Sequence, residues 1–328
     1  MKLGAVGTGM IAKEALPVLR KVGADIGALC GTPRSAETVK DLCAEYGIPQ
    51  GLTDFEALLS DGAIDTVYLA VPNSQHYPMT KRALEAGKHV ILEKPMTDNA
   101  RRAAELAELS RKRGLFLFEA VTTRHNPNYQ AVKELLPEIG TLKFAQCNFS
   151  QYSSRYDAFR RGETPTAFDP AKSGGALMDL NLYNLHYLVG LFGRPRSLSY
   201  LANMERGIDT SGVITLDYGT FKAVSVAAKD SASPCHCVVQ GDEGYILQET
   251  PANVCGKVKL RMNDGAEKFR DAFRGHRMEP EFEAFMKAID GGDRSFCDAL
   301  LEQSVIVAEL LSEARQQAGI RFPSDEEA

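Results

Sequence analysis

No cluster of lysine and arginine marks this chain as a partner for a polyanion. Its 38 basic side chains are outnumbered by 43 acidic ones, and the formal net charge is -5. Nucleic acid is therefore not an expected partner, because phosphate recognition rests on concentrated positive charge. Long apolar runs are missing too. The longest, residues 66–71 and 115–121, fall far short of the roughly 20 residues a spanning helix requires, so no membrane segment is expected. The opening MKLGAVGTGM places glycines where a signal peptide carries a leucine-rich core, and no small-residue cleavage site follows; a cytoplasmic location is expected. The 7 cysteines are odd in number and scattered, which reads as reduced thiols rather than a disulfide framework. Cys235-His236-Cys237 comes nearest to a ligand set, but it lacks a second pair, and no metal is assigned. Internal repeats, low-complexity tracts and long linkers are also absent.

What is present is enough apolar residue, 44% of 328, for a sizeable core, and the length favours two domains. Residues 1–121 alternate short apolar runs with amphipathic segments. Strands are predicted at 2–6, 25–30, 66–71, 88–92 and 115–120, with helices between them. Gly47, Gly87 and Gly114 follow three of those helices, where a left-handed cap is expected. Such alternation specifies a doubly wound parallel α/β sheet. From 122 to 328 the pattern changes. Strands are predicted in succession at 141–151, 197–203, 212–218, 221–229 and 238–248, forming an open, mostly antiparallel sheet in an α+β domain. Helices at 175–191 and 279–290 are expected to interrupt or flank that sheet, a last helix is expected from 297 to 317, and the terminal PSDEEA is expected to fray.

Gly7-Thr8-Gly9-Met10-Ile11-Ala12 follows the first predicted strand and opens a helix. Gly7 permits a tight turn, Gly9 lets backbone approach a pyrophosphate, and the helix amides then face the phosphates. Strand, glycine turn and helix in this order predict a Rossmann dinucleotide site. The second strand ends in Cys30-Gly31-Thr32-Pro33-Arg34-Ser35, without the acid that ordinarily binds the adenosine ribose. Thr32 and Arg34 can instead hold a 2'-phosphate, which favours NADP over NAD. The next two strands end in Pro72, Asn73 and His76 and in Glu93-Lys94-Pro95. These segments point into the cofactor crevice, since ligands of open parallel sheets lie beyond the carboxyl ends of the strands.

GTGMIA, VPNSQH, EKP and the later SGGALMDLNLY occur in this order. Together they resemble the glucose-fructose oxidoreductase, inositol dehydrogenase and MocA family over nearly the whole chain. The resemblance implies a Rossmann domain followed by an open sheet domain, with hydride exchanged between NAD(P) and a carbon bearing a hydroxyl. It places the family's catalytic lysine on Lys94, followed by a proline that is often cis, and its acid and partner on Asp179 and Tyr183. Many relatives carry histidine where Tyr183 stands. That departure, with Glu119-Ala120 and Thr123-Arg124, resembles the dihydrodiol dehydrogenase branch. It also implies dimers or tetramers.

The expected enzyme is an NAD(P)-dependent dehydrogenase or reductase of a small sugar, polyol or cyclic diol, with 1–121 binding cofactor and 122–328 binding substrate and partner subunits. Two proton routes stand open: Tyr183 with Lys94 as its electrostatic partner, or Lys94 itself. Positions 179, 183 and 186 share one helix face, so His186 joins Asp179 and Tyr183 as a candidate. Asp179 also reads as a structural acceptor near the helix start. Arg124, Arg155 and Tyr156 are candidate substrate contacts on the junction and loop segments. A glycoside-cleaving relative and a noncatalytic nicotinamide-binding redox sensor are the alternative functions.

Overall fold

Residues 1–326 are described by the computed structural model. They fold as two compact units, each taken by itself below.

The first unit comprises Met1–Thr97, Arg101–Ala120 and Met278–Val305. Its six strands, β1 (Lys2–Val6), β2 (Asp25–Cys30), β3 (Gln50–Leu52), β4 (Thr66–Leu69), β5 (His89–Glu93) and β6 (Leu117–Ala120), are all parallel, in the order β3-β2-β1-β4-β5-β6. The doubly wound expectation holds, and Gly47, Gly87 and Gly114 have the positive φ values expected of helix ends, 60°, 78° and 66°. Strand β3 was not expected. Its sequence Gln-Gly-Leu has no apolar alternation, and its Gly51 lies where a Cβ would meet Val39 Cγ1 at 3.1 Å, so packing rather than propensity makes it a strand.

Helix Glu279–Gly291 corrects another expectation. It packs on this parallel sheet rather than flanking the second one: Phe282 meets Tyr68 edge-on at 5.4 Å and Phe285 stacks on Phe118 at 4.6 Å. Each such buried ring contributes about 2 to 3 kcal/mol. Lys21 to Glu279 at 2.6 Å and the Met1 amino group to Asp290 at 2.7 Å tie the helix ends to the same unit. Sequence distance hid this placement, because Val121–Arg277 of the second unit intervenes between the sheet and the helix.

The second unit comprises Asp98–Ala100, Val121–Arg277 and Ile306–Ala328. Eight strands, β7 (Leu142–Ser150), β8 (Ser197–Glu205), β9 (Ile208–Asp217), β10 (Lys222–Ala228), β11 (His236–Gly241), β12 (Gly244–Gln248), β13 (Val258–Met262) and β14 (Glu267–Arg270), run in the order β14-β13-β12-β11-β7-β10-β9-β8. Every pairing is antiparallel except β7 with β10. The single strand expected over 238–248 is a hairpin. Thr141 N donates to Asp242 Oδ1 at 2.7 Å in the turn, and a Cβ on Gly241 would lie 1.9 Å from the Ile139 carbonyl. The terminal segment is not frayed throughout: Pro323–Asp325 forms a 3-10 turn and Asp325 pairs with Arg315 at 2.8 Å. Its last two residues, Glu327 and Ala328, lie outside the described residues.

The helix expected over 175–191 begins differently. Leu177–Asn181 is a π turn, and regular helix follows over Leu182–Phe192. Asn184 Nδ2 donates to the Val226 carbonyl at 2.9 Å, and Ser225 Oγ donates to Asn181 Oδ1, which seats the widened turn on β10. Its first amide, Leu177 N, donates to Asp209 Oδ2 at 2.6 Å, where Tyr200 Oη also donates at 2.8 Å. Gly175 has φ of 105°, and a Cβ there would meet Asp209 Oδ1 at 2.2 Å. The acceptor at the helix start is thus Asp209, and the sequence reading of Asp179 in that part is corrected.

Burial raises the Asp209 carboxyl from 3.8 to about 6. A folded-state value above the unfolded one means that the linked stability is complete below 3.8 and declines as pH rises through about 6, by about 3 kcal/mol in all. Asp209→Asn keeps an acceptor oxygen for both donors. Urea titrations at several pH values are expected to show a flatter decline in the variant; parallel curves for variant and wild type refute the assignment.

Candidate active site

The carboxyl edge of the parallel sheet is level across four strands: Val6 pairs with both Cys30 and Leu69, and Leu69 pairs with Leu92. Gly7 and Ala70 sit one residue beyond that row, and Lys94 two. At Gly7 the backbone turns with φ of 120°, and a Cβ would lie 2.1 Å from the Ala70 carbonyl oxygen. Only glycine fits, since a backbone oxygen cannot rotate away. Gly7 N donates to Cys30 O at 2.9 Å. Gly9 opens helix Met10–Lys21 with no side-chain cap, and nothing lies within 4 Å of the position its Cβ would take. Met10 is 69% exposed and Ile11 half-buried. Ala12, 3% exposed, packs the helix close to the sheet. Uncapped amides at a helix start, approached over bare glycine, fit a pyrophosphate.

After β2, Thr32 and Ser35 form a reciprocal box: Thr32 N donates to Ser35 Oγ at 2.9 Å, and Ser35 N donates to Thr32 O at 2.9 Å. Arg34, within this turn, is exposed, as is Thr32. After β4, Pro72 is exposed and Asn73, half-buried, begins helix Asn73–Glu85.

Lys94 is half-buried, and the Lys94–Pro95 peptide is cis, as the family resemblance suggested. Buried groups hold this loop from beneath. His76 Nδ1 lies 2.6 Å from the Pro95 carbonyl and Nε2 lies 3.0 Å from that of Val71. Burial lowers the proton affinity of His76 and outweighs the two carbonyls, which raise it. The neutral ring has one proton, which we assign to the shorter contact. Buried at 1% exposure with its proton given to the Pro95 carbonyl, His76 is a brace rather than the expected cofactor contact. Met96 N donates to Glu119 Oε1 at 2.7 Å, and Tyr68 Oη donates to Glu93 Oε1 at 2.7 Å. Glu93 is 7% exposed, so it too supports the lysine from within the sheet. Sequence reasoning missed Tyr68, and no signal marks it, because a tyrosine in an apolar strand reads as core.

In the second unit Asp179, Tyr183 and His186 lie on the helix that begins at the π turn. The Asp179 side chain is 41% exposed. Tyr183 is 6% exposed and His186 only 1%, with the Tyr183 ring tilted against Phe149 at 6.2 Å. Asp179 Oδ2 accepts from Lys229 Nζ at 2.7 Å, a partner 50 residues away that spacing could not reveal. Arg124, on the short helix Thr122–His125, is largely buried; burial lowers its pKa, and its Nη1 is enclosed with no hydrogen-bond partner among the described residues. Burial and the adjacent Arg124 push His125 down to about 3, so that ring is neutral. Arg155 is exposed. Tyr156 is 9% exposed and donates to Glu205 Oε1 at 2.5 Å. That bond, with burial, pushes Tyr156 up to about 12, and its ring packs on Phe168 at 5.6 Å. Its hydroxyl proton is therefore engaged by Glu205.

Known proteins are similar over nearly the whole chain. A family model described as an oxidoreductase family with NAD-binding Rossmann fold matches residues 1–121, and one described as the GFO/IDH/MocA C-terminal domain matches residues 129–247. The chain is 33% identical over 297 residues to the scyllo-inositol 2-dehydrogenase (NADP(+)) IolU of Bacillus subtilis (strain 168), covering 89% of this chain and 90% of that protein. It is 28% identical over 337 residues to the trans-1,2-dihydrobenzene-1,2-diol dehydrogenase of Mus musculus, covering 99% of both. Its fold is that of KijD10, a 3-ketoreductase from Actinomadura kijaniata solved with NADP and TDP-benzene, with a TM-score of 0.84, 23% identity and 98% of each chain covered. The glycine turn, the lysine-proline edge and these matches converge: this chain is an NAD(P)-binding oxidoreductase and belongs to the Gfo/Idh/MocA family.

Proposed function

We propose that the protein is a dehydrogenase or reductase acting on one hydroxyl-bearing carbon of a small polyol, sugar or cyclic diol. The observation that carries this reading is Lys94, two residues beyond the aligned strand row and braced from below by His76 and Glu119. When bound, the nicotinamide accepts or supplies the hydride. Lys94 donates a hydrogen bond to the reacting oxygen and stabilises the charge that develops there. Tyr183 carries the hydroxyl proton, and Asp179 accepts a hydrogen bond from the substrate. Arg124 and Arg155 contact substrate polar groups. The polyol and diol classes follow from IolU and the dihydrodiol dehydrogenases, whose names state those substrates.

NADP is the preferred cofactor. Thr32 and Arg34 stand where an acid would repel the 2'-phosphate, and the IolU relative is NADP-dependent by name. Residues 1–121 hold the cofactor, while 122–328, apart from Met278–Val305, which packs with the first unit, bind substrate and build a cytoplasmic homodimer or homotetramer through the eight-stranded sheet, on which Leu201 is 75% exposed. Nucleic acid and membrane are no part of the reading; among the described residues no helix is long and apolar enough to cross a membrane.

Turnover is read as reduced nicotinamide absorbance with scyllo-inositol, aldoses and trans-dihydrodiols. Lys94→Ala is expected to lower kcat by about 10²- to 10³-fold while NADP affinity, followed by fluorescence, stays within about twofold. Undiminished turnover removes Lys94 from the mechanism. Arg34→Ala is expected to weaken NADP binding by roughly 10- to 100-fold, the worth of a charge-assisted hydrogen bond, and to leave NAD binding unchanged. Equal weakening of both cofactors refutes the 2'-phosphate assignment.

A further inference from the structure

Lys229 is absent from the family-derived reading, yet it is among the most constrained cations of the second unit. It follows β10 directly, and its side chain is 3% exposed. Its amide donates to the Thr210 carbonyl and its carbonyl accepts from Ser153 N, both at 2.8 Å. The ammonium donates to Asp179 Oδ2 at 2.7 Å and to the Ala167 carbonyl at 3.2 Å, and it lies 5.0 Å from the centroid of the Phe168 ring. A buried ammonium with such contacts offsets much of its desolvation. The carboxylate it holds is 41% exposed: the cation is sealed inside and the anion is presented outward.

We propose that Lys229 is a positioning residue for the reaction, which holds Asp179 as an oriented, ionised carboxylate, so that Asp179 accepts a hydrogen bond from a substrate hydroxyl and does not act as a proton donor. The proposal rests on the assignment of Asp179 to the active site. Two neighbouring carboxylates of the second unit are engaged elsewhere. Asp209, on β9, is within electrostatic reach of Lys229 but is committed to Leu177 N and Tyr200 Oη. Asp230, next in the chain, accepts from Thr210 and Ser211 hydroxyls at 2.7 Å each. Tyr183 and His186 share the helix of Asp179. Lys229 is thus a cation in direct contact with Asp179, and its loss removes that counter-charge from a partly exposed carboxylate.

The test uses Lys229→Met, which keeps the apolar stem, and Lys229→Arg, which restores the charge. Carbon-13 NMR of aspartate side-chain carboxyls gives a readout independent of turnover, with the Asp179 resonance identified by its loss in Asp179→Asn. In Lys229→Met the Asp179 carboxyl is expected to titrate about 1 to 3 pH units higher than in wild type, the usual effect of losing an opposite charge within hydrogen-bond distance, and Lys229→Arg is expected to recover most of the difference. With scyllo-inositol and NADP as probes, the acid limb of kcat/KM is expected to rise in parallel, while NADP affinity stays unchanged. An Asp179 titration that does not move overturns the proposal. A titration that moves while the acid limb stays also overturns it, by removing Asp179 from substrate contact. Absence of wild-type turnover on every probe counts against the function proposed above, and the carboxyl titration then decides the pairing alone. If Lys229→Met melts too low for titration, Lys229→Gln keeps a donor for the Ala167 carbonyl and carries the same measurement.

Discussion

The close approach of two backbones at the edge of the parallel sheet governs the cofactor half of this protein. Gly7 turns directly over the Ala70 carbonyl, with no volume for a side chain between them. That contact lets β1 hand over to helix Met10–Lys21 at the level where β4 ends, so the helix amides emerge beside the segments that follow β4 and β5. A methyl group there would push β1 from β4 or rotate the helix start away, and the phosphate cradle would be lost with either movement. The rest of the cofactor edge is arranged around this junction.

A second constraint acts on the lysine. A side chain that must present charge at one point is useful only if its backbone does not wander. Here the loop after β5 is held by groups that never need to meet solvent: His76 at the Pro95 carbonyl, Glu119 at the Met96 amide, and the Tyr68-Glu93 bond one residue before the lysine. Polar residues buried at 8% exposure or less are costly unless satisfied, and these are spent on one loop. The same economy recurs in the second unit, where Asp209 holds the start of the helix that bears Asp179 and Tyr183, and Lys229 holds Asp179 itself.

These bracing residues explain why site residues read from motifs divide into two groups. Gly7, Gly9, Thr32, Arg34 and Lys94 lie in the segments that follow β1, β2 and β5. His76 and Tyr156 carry the right chemistry in the right segments, yet their polar atoms are engaged within the protein. A motif records that a residue type is needed at a position. It does not distinguish a group that touches a ligand from one that supports its neighbour.

The amino-acid sequence by itself determined the parallel architecture of the first half, the glycine turn, the lysine at the end of β5 and the family, because each depends on local periodicity or on residues within a few positions of one another. Only tertiary structure decided the rest. Strand β3 exists because a glycine fits under Val39 and Cys43, the hairpin within 238–248 because Gly241 meets the Ile139 carbonyl, and the placement of helix Glu279–Gly291 because its phenyl rings find Tyr68 and Phe118. The pairing of Lys229 with Asp179 belongs to the same class. Contacts between separate elements leave no periodic trace in a chain, since they arise from how the elements pack and not from how they are spelled.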